Sequence, residues 1–196
     1  LPISVGAVAD GGNTFVNIVA NSGRVVINAA TGVGSGDALE TTIDSLDVDN
    51  STSGNIEINE TDAITVFDAQ EATAGNILIT AGGTITVDNG GAVTNAISTV
   101  GAGTISLDAN GAASDIVIND GIQSASGNIT LTADNDVTTD AEGDISSTSG
   151  DLTVTADVFA GNNGGAITMA NGALWNAGSG LIDLDADGNI TLGGLD

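Results

Sequence analysis

The chain has 196 residues, of which 26 are acidic against one basic residue, Arg24, and no histidine, giving a formal net charge of −25. A surface this acidic repels nucleic acid phosphate and anionic lipid headgroups, which excludes both as primary partners. Cysteine is absent, so disulfides contribute nothing to stability.

Hydrophobic content is 41%, yet aromatics make up only 2%: Phe15, Phe67, Phe159 and Trp175. The apolar mass is therefore Ile, Val, Leu and Ala, slim side chains that suit stacked strands better than a ring-filled globular core. Glycine is 29 and proline 1, a balance that favours tight turns. The acidic residues are dispersed rather than run together, which argues against a disordered acidic tail. Their mutual repulsion weakens the fold at low ionic strength and is relieved by salt or divalent cations, so a saline, calcium-containing medium is expected. No apolar run approaches a membrane span, and no basic-then-apolar leader opens the chain. Leu1 is not an initiator methionine, so a processed protein or a piece of a longer one is expected.

In chain order, Ile3–Ala9 and Thr14–Ala20 are strand-like runs separated by the turn signal Asp10-Gly11-Gly12-Asn13. Residues 1–22 read as an N-terminal cap or junction, and 23–194 as the repeat coils of one solenoid domain. Gly23–Ala29 is the first repeat. After the glycine-rich turn at Gly32–Gly36, Ala38–Asp49 reads as a strand with one irregularity of the β-bulge type. From Gly54 to Thr155 the pattern is dense. Gly54-Asn55-Ile56-Glu57-Ile58, Gly75-Asn76-Ile77-Leu78-Ile79 and Gly127-Asn128-Ile129-Thr130-Leu131-Thr132-Ala133 are near-copies, and Gly103-Thr104-Ile105 and Gly150-Asp151-Leu152 keep the frame. Each is followed by a second short apolar run, such as Ile64–Phe67, Ile85/Val87, Ile116–Ile118 or Val137. Turns are expected at Asn89-Gly90-Gly91, Asn110-Gly111, Asp120-Gly121, Glu142-Gly143-Asp144 and Asn162-Asn163-Gly164-Gly165. Two further copies, at Ile182 and Ile190, finish the chain.

Within a copy the alternation is strict. Ile129, Leu131 and Ala133 point inward and Asn128, Thr130 and Thr132 outward, the period of a half-buried strand. The third inward position is repeatedly alanine (Ala29, Ala81, Ala109, Ala133, Ala156, Ala186), which marks a narrowing corner. Main copies start at Ile56, Ile77, Ile105, Ile129 and Leu152. Recurrence of one peptide at about 20–30 residues is the signature of a stacked array, and a parallel β-solenoid needs equivalent residues over one another at about 4.8 Å. About eight coils then make a rod on the order of 40 Å long. The fold class is all-β, a parallel β-helix.

These Gly-Asn-Ile-Thr-Leu-Thr-Ala repeats, with Gly36–Leu46 and Gly54–Val66, resemble those of filamentous-haemagglutinin-like adhesins and giant β-strand-repeat surface proteins of Gram-negative bacteria. The resemblance spans Gly23 to Gly194. It implies a right-handed parallel β-helix, export, and an extracellular or cell-surface role. It supplies no catalytic residues that map onto this chain.

Candidate sites are few. Asp183-Leu184-Asp185-Ala186-Asp187-Gly188 matches the start of an EF-hand calcium loop, but Gly194 stands where the closing glutamate belongs, and no helix flanks it. The simpler reading is a repeat followed by its turn, with structural calcium on Asp183, Asp185 and Asp187 as the weaker alternative; no cofactor is expected otherwise. Asn28, Asn59, Asp88, Asp108, Asn119 and Asp185, with Thr80, Thr132 and Thr155, follow the second inward position and read as a hydrogen-bond ladder. Polysaccharide lyase chemistry needs a base and a neutralising cation, and Arg24 alone, without lysine, histidine or tyrosine, does not provide them. Trp175 reads as a buried or capping ring rather than a sugar platform. The expectation is a non-catalytic extracellular rod, adhesin segment or fibre component that stacks end to end or continues a longer array, with no nucleic acid partner and no membrane insertion. The alternative is an extracellular carbohydrate- or calcium-binding module, with glycan or cell-surface contact.

Overall fold

The structure is a computed structural model that describes residues 3–91, 95–157 and 164–193. Among these, every regular element is a strand and every pairing between strands is parallel. No helix is long and apolar enough to cross a membrane. Phe159, Asn162, Asn163 and Gly194 lie outside the described residues.

The chain winds as a three-faced parallel β-helix. The first face stacks Ile56–Glu60, Ile77–Ala81, Ile105–Ala109, Ile129–Ala133, Leu152–Ala156 and Ile182–Ala186 in unbroken register. The expected repeat starts are thus one column, and the coils between them run 21, 28, 24, 23 and 30 residues. The second face stacks Ile85–Val87, Ile116–Ile118, Val137–Thr139, Ile167–Met169 and Ile190–Thr191 below part of Ile64–Glu71. The third stacks Ile97–Thr99, Ile122–Ser124, Ile145–Ser147 and Trp175–Asn176 below the remainder of that strand. Near the start, the long strands Ile18–Ala29 and Leu39–Asn50 each serve several faces, and Ile3–Val5 pairs with Ile27–Ala29. Stacking therefore extends into residues 1–22. The Asp10 turn is pinned by its own carboxylate, which accepts the N–H groups of Gly12 and Asn13 and the Asn17 amide.

Alternation accounts for the core. Ile129, Leu131 and Ala133 are buried between half-exposed Thr130 and Thr132, and the same pattern recurs at Ile105–Ala109 and Leu152–Ala156. Each buried Ile or Leu contributes about 1.5–3 kcal/mol by leaving water. Ala81, Ala109, Ala133, Ala156 and Ala186 form one ladder, whereas Ala29 belongs to the third face. Trp175 is fully buried, stacked on Ile145.

The glycine that opens each repeat has a steric reason. Gly54, Gly75, Gly103, Gly127, Gly150 and Gly180 lie over one another. A Cβ on any of the last five would fall 1.8–2.3 Å from the carbonyl oxygen of the glycine one coil earlier, far inside van der Waals contact. The residue after it has an electrostatic reason. Asn55 Oδ1 accepts the Asn76 N–H, Asn76 Oδ1 accepts the Thr104 N–H, Asn128 Oδ1 accepts the Asp151 N–H, and Asp151 Oδ1 accepts the Leu181 N–H, all within 3.0 Å. The other faces use the same device with aspartate: Asp115 takes the Asp136 N–H, Asp136 that of Ala166, and Asp144 that of Leu174. Four aspartates, Asp115, Asp136, Asp144 and Asp151, are thus inter-coil acceptors placed just before a strand.

Two substitutions separate these effects. Gly127→Ala is expected to lose about 3 kcal/mol or more through overpacking, whereas Gly6→Ala, whose Cβ meets only the Thr31 hydroxyl at 3.8 Å, stays within about 0.5 kcal/mol of the parent. Asp136→Ala loses about 1.5–3 kcal/mol and Asp136→Asn, which keeps the acceptor, most of it retains. Urea unfolding followed by circular dichroism measures both, and equal losses at Gly127 and Gly6 would contradict the glycine stack.

Candidate functional site

The irregularity expected in Ala38–Asp49 is present, but the extra residues belong to its neighbours. Leu46 pairs with Val66 and the next residue, Asp47, pairs with Asp68, so Phe67 is the bulged residue. On the other side Ile43 pairs with Ala20 and Ser45 with Arg24, leaving residues 21–23 opposite Asp44 alone. A bulge re-aims the side chains beside it. Here it sets Asp68 next to Asp47 and Asp49, two outward residues of one strand.

Carboxylate oxygens of Asp47, Asp49 and Asp68 lie within 4.8 Å of one another, the one such trio of acidic groups among the described residues. Arg24 sits over it, its Nη1 3.3 Å from Asp47 Oδ2 and its guanidinium carbon 3.7 Å from the Phe67 ring centroid. Gln70 Nε2 donates to Asp68 Oδ1. One guanidinium thus faces three carboxylates. Burial pushes the Asp49 carboxyl above its ordinary range, and the Asp47 charge adds to this. Asp68 is also raised, first by burial and then by Asp49 and Asp47, against the Gln70 hydrogen bond and Arg24. Beside the trio a cleft of about 350 Å³ opens between Asn28, Asp49, Asn50, Ser51 and Gln70. The three carboxylates have the hard oxygen chemistry of a calcium or magnesium site, but supply only part of the six to eight oxygens calcium takes.

Asp183 and Asp185 are placed differently. They alternate with Ile182, Leu184 and Ala186 on one exposed strand, and Asp187 follows in the turn. The strand stacks on Leu152–Ala156 as an ordinary first-face repeat, without flanking helices. The nine-residue polar set divides among faces. Asn59, Thr80, Asp108, Thr132, Thr155 and Asp185 share one column, Asn28 stacks with Asp49 on the third face, and Asp88 and Asn119 follow second-face strands. The hydrogen-bonded ladder runs instead through the residues that follow glycine.

Five acids among the described residues are buried, Glu60, Glu71, Asp120, Asp134 and Asp157, and the two glutamates sit on inward strand positions. Glu60 occupies the alanine column, between Thr41 and Ala81, and is 2% exposed. Its carboxylate accepts from the Thr41 hydroxyl and from the N–H groups of Ile43 and Thr61. Burial nonetheless raises its pKa, with these hydrogen bonds opposing. Glu71 closes the equivalent corner of the third face, accepting from the Asn50 amide and from the N–H and hydroxyl of Thr73. Later coils close the Glu71 corner with Thr99, Ser124 and Ser147, of which Ser124 and Ser147 bridge the carbonyl of one repeat glycine to the N–H of the next, whereas the Glu60 corner is taken over by alanine. The signal was present, since Glu60 falls in the inward frame of Ile56 and Ile58.

Comparison with protein-family models, with curated proteins and with solved structures finds no match.

A pH dependence follows. Glu60, Asp49, Asp68 and Asp108 all have raised carboxyls, each with burial as the first cause. The native state then binds protons more readily than the unfolded chain, so stability rises as pH falls from above the native values toward the ordinary carboxylate range, about 4. Asp10 acts oppositely. Held at about 2, chiefly by the Asn13 N–H and then the Asn17 amide, it favours the fold above its ordinary value and loses that contribution as pH drops toward 2. The melting temperature at fixed salt should therefore be higher just above the ordinary carboxylate range, about 4, than at pH 7.5, and decline as pH falls on toward 2. Asp68→Asn should raise it by about 2 °C at pH 7.5 and flatten the climb. A melting temperature that falls steadily from pH 7.5 downward would rule this out.

Proposed function

We propose that the chain is a non-catalytic structural segment of an extracellular β-solenoid, a rod of the kind that serves as a surface adhesin or stacked fibre. One observation carries the reading: the three side-chain columns and the glycine stack run coil after coil, and among the described residues only the Asp47, Asp49 and Asp68 trio gathers acidic groups out of that regular register. Four of the acids, Asp115, Asp136, Asp144 and Asp151, are committed to N–H groups of the next coil.

The same regularity supports axial continuation. The last described coil leaves Leu181, Ile190 and Leu192 at 61%, 42% and 44% exposure, with Ile182 and Leu184 half-buried. A further rung covers these groups and pairs the unpaired edge, whether it comes from the same chain or another copy. A net charge of −25 opposes side-by-side packing, so growth is axial, and salt favours it. The repeat resemblance and the strongly acidic surface support a location outside a bacterial cell.

Negative-stain electron microscopy across a concentration and salt series tests the reading. Particles one solenoid wide should lengthen with protein concentration and with salt, and Leu184→Asp should hold them at single-chain length. Uniform single-chain particles at every concentration and salt level, unchanged by Leu184→Asp, would refute axial stacking of copies. In intact cells that express the full reading frame, external protease should cleave the chain.

A further inference from the structure

The three faces share one core but differ outside. The first presents Glu57, Leu78, Ser106, Thr130, Thr153 and Asp183 in one outward column, and the second presents Thr65, Thr86, Val117, Thr138, Thr168 and Thr191. The third column is different in kind. It runs Asn28, Asp49, Gln70, Ser98, Gln123, Ser146, Asn176 without an apolar or cationic member. Four of these are carboxamides, and the chain's only two glutamines, Gln70 and Gln123, both fall in this column.

The column is also concave and ordered. The 350 Å³ cleft lies against Asn28, Asp49 and Gln70, and a second of about 290 Å³ lies against Gln123, Ser146 and Asn176. Both open at the corner that follows the third face. Between them, after the Ser98 rung, stands Val100, 43% exposed. The glutamines are held by neighbouring coils: Ser98 Oγ donates to Gln70 Oε1, Asn95 Nδ2 donates to Gln123 Oε1 at 3.1 Å, and Gln123 Nε2 donates to Ser146 Oγ at 3.4 Å. Side chains fixed in this way lose little freedom when a ligand arrives.

From this we infer that the third face binds an extended, uncharged, hydroxyl-rich chain, a linear neutral glycan lying along the rod axis. A carboxamide carries both donors and an acceptor, the complement of a sugar hydroxyl that does both. Gln123 keeps a second amide proton beyond the one given to Ser146, while Gln70, whose amide protons go to Asp68 Oδ1 and the Asn95 carbonyl, shapes the neighbouring rung. The rung spacing of about 4.8 Å is close to the advance of one pyranose in an extended chain, so successive sugars meet equivalent rungs. Val100 gives the apolar face of a ring a contact midway. The alternatives fit less well. Polyanions are repelled by the net charge. A peptide adding as a strand finds no free backbone along this face, because its strands from Ile97–Thr99 to Ile145–Ser147 are already paired on both sides within the stack. This inference goes beyond the rod reading and stands without it.

The test is binding of the purified chain to immobilised linear β-glucan, mannan and dextran, with polylysine and a sulfated glycan as charged comparisons. At least one neutral glycan should bind, insensitively to added salt. Gln123→Ala and Gln70→Ala should each weaken that binding by about tenfold, and Thr86→Ala on the second face should leave it unchanged. Melting temperatures confirm that each variant is folded; if Gln70→Ala unfolds, Gln123→Ala decides. Three outcomes would overturn the inference: no neutral glycan binds, only polylysine binds and salt abolishes it, or neutral binding survives both glutamine substitutions. The length of the particles seen by microscopy is unaffected by any of these results, so the two readings fail separately.

Discussion

Everything in this molecule depends on one coil lying directly on the next at the hydrogen-bonding distance of a parallel sheet, about 4.8 Å. That distance admits no Cβ at the corner where Gly103, Gly127 and Gly150 meet, so glycine is imposed there. One position further on, the next coil presents an N–H that the sheet does not pair, and a short side chain with an acceptor oxygen must reach it. Asn128, Asp151, Asp115, Asp136 and Asp144 all do so. The following residue turns inward onto another large apolar residue above and below. The repeat Gly-Asn-Ile is thus three successive answers to one spacing. The acidity of the chain follows in part from the same cause, because aspartate and asparagine reach that N–H equally well.

Stacking also makes like charges neighbours, and the fold handles this unevenly. Where an aspartate accepts a backbone N–H, its charge is hydrogen-bonded. Asp47, Asp49 and Asp68 lack that arrangement, since the bulge at Phe67 shifts Asp68 out of the ordinary register and against the other two. The protein's one cation is positioned over this cluster, with its guanidinium on the ring of the bulged residue. The irregularity and the concentration of charge are one event. A single inserted residue breaks the ladder, displaces an aromatic ring, and gathers three acids that a regular register would keep apart.

The legible and illegible parts of the sequence divide along the same line. Ile56, Ile77, Ile105, Ile129 and Leu152 were readable as one column because each begins the same peptide at a coil's distance. The alternating burial was readable from a period of two, and Trp175 is buried as its apolar neighbours imply. The assignment of look-alike repeats to faces was not readable. Gly83–Val87 and Gly188–Leu192 resemble first-face repeats, yet Ile85 and Ile190 stand on the second face. The reason is physical: all three faces pose the same local problem, so the same peptide solves it on each. Only coil length separates them, and it varies because turns absorb insertions without disturbing the stack. The acidic trio was invisible because it depends on a register slip between strands 20 residues apart. The third-face carboxamide column was hidden for a related reason, since its members are spaced by whole coils of unequal length.

A stack of this kind separates what holds it together from what it presents. Inward positions must match their neighbours above and below, and the corners must be glycine or a small acceptor. Outward strand positions are constrained only to be compatible with water and with a like neighbour at about 4.8 Å. The three outward columns use that freedom differently. The first mixes hydroxyl, acid and leucine, the second is mostly threonine, and the third alternates longer amides with serines to which they are hydrogen-bonded across coils. Threonine is what β propensity alone selects on a half-exposed strand, so the second face needs no further cause. Glutamine is not favoured in that way. Its placement at Gln70 and Gln123, and nowhere else in the chain, therefore has to come from the surface it creates. The core explains how the rod stands; the outward columns, rung by rung, determine what the rod can touch.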